Sequence, residues 1–235
     1  MTAAVETRLA TIAWGFTPYA AVSLAHVVLL GLDHAWSYPT KLLLMPALIF
    51  AVLWGLRGIR FGAASTRSDL APAGGLLLAA IVLSWLGDGA AFFFPGLDDE
   101  LPAMLLAFGL AHVAYIALFA RHLAVRRPPL WTLVYAVWWI VLVAVLWPLL
   151  GALAVAVAVY GLVLGGTAVM SARCSPAVAL GGAFFLASDT ILAFRIFVPQ
   201  TPEWLGVAVM VTYTLGQGLI AWGAVRQLRA LKAAT

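Results

Sequence analysis

The sequence predicts an all-α integral membrane protein: one polytopic domain over residues 1–235, with about eight transmembrane helices and both termini cytoplasmic. Three observations carry this: a composition that cannot solvate a globule, eight long apolar segments, and a basic–acidic alternation in the loops. Hydrophobic residues make up 65% of the 235 and charged residues 9%, against roughly 45–50% and about 25% in a soluble domain. Mean hydropathy is +1.06. Eight spans of about 20 residues use about 160 and leave no room for a separate soluble domain. A net charge of +4 would suggest nucleic acid in a soluble protein; here it reads as loop charge beside anionic lipid, and no nucleic-acid partner is expected. Cys174 is the only cysteine, which excludes an internal disulfide and any Cys-cluster metal site.

The first segment, 11–31, follows Met1–Ala10 and imitates a signal peptide. It is longer than a typical signal core and further spans follow, so it reads as a retained helix. The others are 39–56, 71–94, 102–120, 130–147, 150–171, 177–197 and 204–225. None alternates with period 2 as a barrel strand would, and several exceed 18 residues with at most one charge. Only Trp147–Pro148 divides the fifth from the sixth.

Orientation follows from the loops. Arg8, then Arg57, Arg60 and Arg67, then Arg121, Arg126 and Arg127, then Arg173, then Arg226, Arg229 and Lys232 all fall on one side, 11 of the 13 basic residues. Asp33, Asp98, Asp99, Glu100 and Glu203 fall on the other. The positive-inside rule puts the arginine side in the cytoplasm. The Ala-, Gly- and Arg-rich composition points to a bacterial plasma membrane.

Four charges remain at membrane depth: Lys41, Asp88, Asp189 and Arg195. An ionised group near the bilayer centre costs about 2.5–3.5 kcal/mol, so such groups face a cavity or one another. Lys41 and Arg195 lie near helix ends, where long stems can also snorkel to the interface. Asp88 and Asp189 cannot snorkel far. They read either as structural carboxylates bonded to neighbouring helices or as the walls of a functional pocket. Other polar groups sit at similar depth: His112 and Tyr115 (i, i+3), Tyr213 and Gln217 (i, i+4), Tyr160, and Ser188 beside Asp189. Singly, each is ordinary interhelical glue; together they suggest one pocket. His26 ranks lower, and His34 and His122 read as loop residues. His112 with two Asp has donor types a metal would accept, but three ligands on three helices give no spacing to test, and no metal or other cofactor is expected.

Leu83-Ser-Trp-Leu-Gly-Asp88-Gly-Ala-Ala-Phe-Phe aligns with Phe184-Phe-Leu-Ala-Ser-Asp189-Thr-Ile-Leu-Ala-Phe at an offset of 101 residues. That is four helices, which preserves orientation and suggests two parallel repeats, roughly 39–120 and 150–225. Repeats are common in transporters, so a proton-coupled transporter using the Asp pair is one alternative, and a lipid-binding membrane protein without turnover is another.

Ser84-Trp-Leu-Gly-Asp88, Phe108-Gly-Leu-Ala-His112-Val-Ala-Tyr115, Tyr160-Gly-Leu-Val-Leu-Gly, Gly182-Ala-Phe-Phe-Leu-Ala-Ser188-Asp189 and Tyr213-Thr-Leu-Gly-Gln217 resemble, in that order, the motifs of the YhhN-like lysoplasmalogenase family. Lys41 matches a recurring lysine, although Leu42 stands where a proline usually follows. The resemblance implies a polytopic hydrolase that cleaves the vinyl ether bond of lysoplasmalogens to a fatty aldehyde and a glycerophospho-ethanolamine or -choline. Vinyl ether hydrolysis needs a general acid to protonate the β-carbon and an anion to stabilise the resulting oxocarbenium ion. Two carboxyls in different settings can divide those duties. Asp88 and Asp189 are expected to form the pair, with His112 and Tyr115 orienting water or relaying protons. Lys41 and Arg195 are expected to hold the headgroup phosphate, and Tyr160, Ser188, Tyr213 and Gln217 to line the site. The partners are then the lysophospholipid and bilayer lipid.

Overall fold

The computed structural model describes residues 3–57 and 70–233. Eight of its helices are long and apolar enough to cross a membrane, and no strand occurs among the described residues. The chain is a multi-pass membrane protein. Arg60 and Arg67 lie outside the described residues.

The elements are α1 (Ala3–Gly31), α2 (Ser37–Leu56), α3 (Leu70–Asp88), a one-turn helix α4 (Ala90–Phe93), α5 (Leu101–Leu118), α6 (Val134–Leu146), α7 (Ala154–Ser171), α8 (Pro176–Phe197) and α9 (Trp204–Ala233). Successive spans run antiparallel, so one end of the bundle carries the arginine loops and the other the acidic ones. The long helix α9 packs on α1, α2, α3 and α8; α5 bridges α3 and α7; α6 lies outside against α7 and α8.

Several boundaries differ from the sequence expectation. The segment 71–94 is not one helix: α3 stops at Asp88 and restarts as α4 after Gly89. A Cβ at Gly89 would lie 2.6 Å from the Phe93 ring and 2.9 Å from Leu42, so the turn closes only around glycine. Asp88 is therefore the last residue of its helix. The fourth span continues past 120 as a π-helical turn, Phe119–Leu123, which makes His122 part of a helix end rather than a loop. α9 runs on past 225 and takes up Arg226, Arg229 and Lys232. The fifth and sixth spans do divide at Trp147–Pro148, through two 3-10 turns joined by Leu150, with Gly151 at φ +53° in the left-handed region.

Arginines at the basic end do more than mark a side. Helices α2, α5 and α7 finish there with unpaired carbonyls and the negative end of their dipoles. Arg229 Nε donates to the Gly55 carbonyl at the end of α2. Arg126 Nε donates to the Ala172 carbonyl after α7 at 2.9 Å, and Arg173 Nε to the Arg126 carbonyl at 3.1 Å.

Two local features set the register of the site. Pro46 inside α2 has no N–H, so the Leu42 carbonyl one turn earlier loses its helical partner. Trp85 Nε1 of α3 supplies the bond at 2.9 Å, which holds Lys41, next to Leu42, against the end of α3. On the far side α8 and α9 meet through glycine. A Cβ at Gly181 would lie 2.7 Å from the Ile220 nitrogen and 2.8 Å from the Gly216 carbonyl oxygen. Small residues permit that backbone approach, and it fixes Ser188 and Asp189 against α9.

Candidate active site

Most of the intramembrane polar residues singled out from sequence come together, but in two clusters rather than one. The first surrounds Asp88. Tyr213 of α9 donates its hydroxyl to Asp88 Oδ2 at 2.6 Å, and Lys41 Nζ of α2 stands 3.8 Å from Oδ1. A carboxylate at a helix C-terminus faces the unfavourable end of the dipole, and these two donors offset it. Behind them Gln217 is fully engaged. Its Nε2 donates to Ser84 Oγ at 3.0 Å, and its Oε1 accepts from the Tyr115 hydroxyl at 2.5 Å. Ser84 gives its own hydrogen to the Ala80 carbonyl, so its oxygen is free to accept. That fixes the orientation of the Gln217 amide.

The second cluster surrounds Asp189. Tyr160 of α7 donates a short hydrogen bond to Asp189 Oδ2, and His112 Nε2 of α5 stands 3.5 Å from the same oxygen and 3.3 Å from the Tyr160 hydroxyl. His112 Nδ1 lies 3.2 Å from Thr167 Oγ1, whose hydrogen goes to the Val163 carbonyl at 3.0 Å. The threonine oxygen must then accept, so His112 carries a proton on Nδ1. Both contacts to Asp189 fall on Oδ2; Oδ1 has no partner among the described residues.

Aromatic rings separate the clusters. Phe185, wholly buried, packs edge-on to His112 at 4.7 Å, Tyr213 at 5.5 Å and Tyr115 at 6.3 Å between centroids, and Phe108 packs on Phe185 and Tyr213. Asp189 lines a cavity. This small cavity, of about 40 Å³, lies between α5, α7 and α8, bounded by Leu101, Phe108, Tyr160, Asp189, Leu192 and Phe197, and is otherwise apolar.

A family model describing the YhhN family matches residues 36–224. The chain belongs to the YhhN family. The match takes in every residue of both clusters and leaves α1 almost entirely outside. No curated protein and no solved structure matches the chain.

Within this YhhN bundle the sequence-derived residues divide as follows. Asp88, Lys41, Tyr115, Tyr213 and Gln217 fall in one cluster, and Asp189, His112 and Tyr160 in the other. His112 and Tyr115, expected to act together, serve different carboxyls. Ser188 turns away from its neighbour and donates to the Val209 carbonyl at 3.1 Å. Arg195 joins neither cluster; it is exposed near the end of α8, its guanidinium against Gly206. His26 tethers α1 to α2 through the Ser37 carbonyl and Thr40. Among the described residues no three His, Cys, Asp or Glu side chains converge as metal ligands would. Ser84, Thr167, Phe108 and Phe185 were missed. Helical spacing would have found two of them: Ser84 is four residues before Asp88, and Thr167 seven after Tyr160, each on the same face.

The clusters obey the offset of the internal repeat. Asp88 and Asp189 are 101 residues apart, and so are His112 and Tyr213, each of which contacts the other half's carboxyl. Gly87 and Ser188 are likewise 101 apart, as are their contacts Phe108 and Val209. Lys41 on α2 holds the place at Asp88 that Tyr160 on α7 holds at Asp189.

Proposed function

We propose that this YhhN protein is a membrane hydrolase that cleaves the vinyl ether bond of lysoplasmalogens. The observation that carries the reading is Asp189: a carboxyl held on one oxygen by Tyr160 and His112, with its other oxygen unpartnered, in the wall of an apolar cavity. Protonated Asp189 gives its proton to the β-carbon of the vinyl ether. The C=C electron pair forms the new C–H bond, and the adjacent carbon becomes an oxocarbenium ion. Water, deprotonated by the Asp189 carboxylate, adds to that carbon. The hemiacetal then collapses to a fatty aldehyde, and the ether oxygen leaves as the hydroxyl of a glycerophospho-ethanolamine or -choline. Tyr160 and His112 hold the carboxyl through both transfers, and the proton taken from water restores Asp189 for the next turnover.

Asp88 has a different duty. Lys41 and Tyr213 occupy both of its oxygens, so it stays a fixed anion behind the aromatic wall, where its charge favours the cationic intermediate. With the arginine end in the cytoplasm of a bacterial cell, the site lies in the outer half of the bilayer, and Arg195 stands where a headgroup phosphate would be.

The test is aldehyde release from a purified lysoplasmalogen by Asp189→Asn and Asp88→Asn. Asp189→Asn is expected to lose about 10²–10⁴-fold, the usual range for general acid–base catalysis, and Asp88→Asn less. Wild-type turnover in a folded Asp189→Asn variant would refute the mechanism.

A further inference from the structure

The lipid-facing surface between α5 and α7 carries a groove of about 630 Å³. It runs from Pro102 and Leu153 at the acidic end to Val113 and Val163 near mid-span. The distance from Pro102 to Val113 is roughly 16 Å at about 1.5 Å rise per residue, the length of a hydrocarbon chain rather than of a headgroup. Every side chain lining it is apolar except Tyr160. Tyr160 and Leu105 also line the cavity that holds Asp189, so groove and cavity share a wall. Gly109 of α5 lies on the groove side of that wall, beside the Tyr160 ring. A Cβ at Gly109 would meet only the Tyr160 ring, at 3.9 Å, and any longer side chain would have to fill the groove or push the ring aside.

We propose that this groove holds the hydrocarbon chain of the single-chain lipid substrate and passes its first carbons by Gly109 and Tyr160 to Asp189. The identity of the lipid rests on the hydrolase reading; the path does not. A vinyl ether is the first bond of its chain, so its two unsaturated carbons must reach a carboxyl while the remaining methylenes stay in apolar surroundings. A lateral groove that shares the Tyr160 and Leu105 wall with the site meets both requirements once a chain passes that wall, because the chain tail leaves no hydrocarbon contact behind. Gly109 then sets how closely a chain approaches Tyr160, and is a specificity-determining position.

The experiment uses the full chain in phosphatidylcholine vesicles. A lysophosphatidylethanolamine with a photoactivatable diazirine at mid-chain is cross-linked, and the labelled peptides are mapped. Labelling is expected on α5 around Leu106–Val113 and on α7 around Val155–Val163, displaced by excess unlabelled single-chain vinyl ether lipid and not by added diacyl lipid. Gly109→Leu should raise KM about tenfold, the order expected when a site loses room for two methylenes. Val159→Trp, which adds bulk at an exposed groove wall without touching the core, should do the same if Gly109→Leu folds poorly. Val137→Trp, on the exposed face of α6, should leave KM unchanged. Label spread evenly over α1 and α6, or displaced equally by diacyl lipid, would mean ordinary bilayer contact and overturn the groove. Normal KM in both groove variants of an active hydrolase also overturns it and leaves the hydrolase standing. Specific, displaceable label without any aldehyde release does the reverse.

Discussion

Replacing Tyr160 by Phe tests the site at the level of one oxygen atom. The ring stays, so the groove wall and the contact with His112 are kept; what goes is the hydroxyl that donates to Asp189 Oδ2 and stands 3.3 Å from His112 Nε2. A hydrogen bond to a charged group contributes about 1.5–3 kcal/mol. If that contact holds the carboxyl during proton transfer, its loss appears in the barrier, and about 1.36 kcal/mol is a factor of ten. The expected fall in kcat is therefore roughly 10- to 150-fold. Stability should change far less, because the adjoining cavity admits water to the vacated position. The assay is aldehyde release in detergent micelles, with kcat and KM separated, alongside thermal unfolding of the same preparation. KM should hold, since the chain still meets an aromatic ring. A kcat within about twofold of wild type, far short of what a charge-assisted bond is worth, or a Tm loss with kcat intact, would refute the assignment and make Tyr160 structural glue.

The equivalent change in the other half, Tyr213→Phe, should invert that pattern. It removes the only hydrogen bond to Asp88 among the described residues besides its lysine contact, and both partners are buried, so about 1.5–3 kcal/mol should be lost from unfolding stability with a smaller effect on kcat. Lys41→Met should cost about 1–2 kcal/mol, less than a fully buried pair because the lysine side chain is 31% exposed, and Lys41→Met with Asp88→Asn should recover most of it in denaturant titrations. Gly181→Ala should lower Tm by the equivalent of about 1–3 kcal/mol, since its Cβ meets backbone that cannot rotate away. Cys174 is buried and its thiol is pushed up to about 12 by desolvation, against the opposing pull of Arg173 and Arg126. Maleimide should therefore label it slowly at neutral pH, faster as pH rises toward 12, and fully after unfolding. That quiet background suits a test of orientation with single cysteines placed at Asp98 and Arg127.

The helix count, their order and the side on which each loop falls were legible because every one of those features is written locally, in apolar length and in the spacing of arginines. The short-range pairs were legible too, as with Tyr213 and Gln217 one turn apart on α9. What sequence could not give was partnership across helices. His112 and Tyr115 sit three residues apart, about 60° around the helix axis. That small rotation is enough to send one ring to α7 and α8 and the other to α9. The break after Asp88 was hidden because Gly89 is followed by Ala-Ala-Phe-Phe, which hydropathy reads as more helix. Arg195 looked like an intramembrane charge because it was counted along a helix, and its exposure depends on where α9 begins. The capping work of Arg229 and Arg126 was invisible for the opposite reason: the same residues already had an explanation as topology markers.

The division of labour between the carboxyls follows from how a duplicated scaffold can keep two buried acids. An ionised carboxylate in the membrane costs about 2.5–3.5 kcal/mol and must be compensated wherever it stands. At Asp88 the compensation is a cation from α2 and a phenol from α9, one on each oxygen. At Asp189 the position on α7 that corresponds to the lysine carries a phenol, and the position that corresponds to Tyr213 carries His112, a group that can itself gain or lose a proton. Both act on the same oxygen. The compensation is thus weaker, neutral or switchable, and the second oxygen is left to the cavity. In the proposed mechanism, exchange of one lysine for one tyrosine, and of one tyrosine for one histidine, separates the anion that stabilises charge from the carboxyl that hands its proton over. Installing the Asp88 environment at Asp189 through Tyr160→Lys should therefore abolish turnover while leaving the protein folded, and a Tyr160→Lys variant that still releases aldehyde would show that Asp189 does not need to change charge.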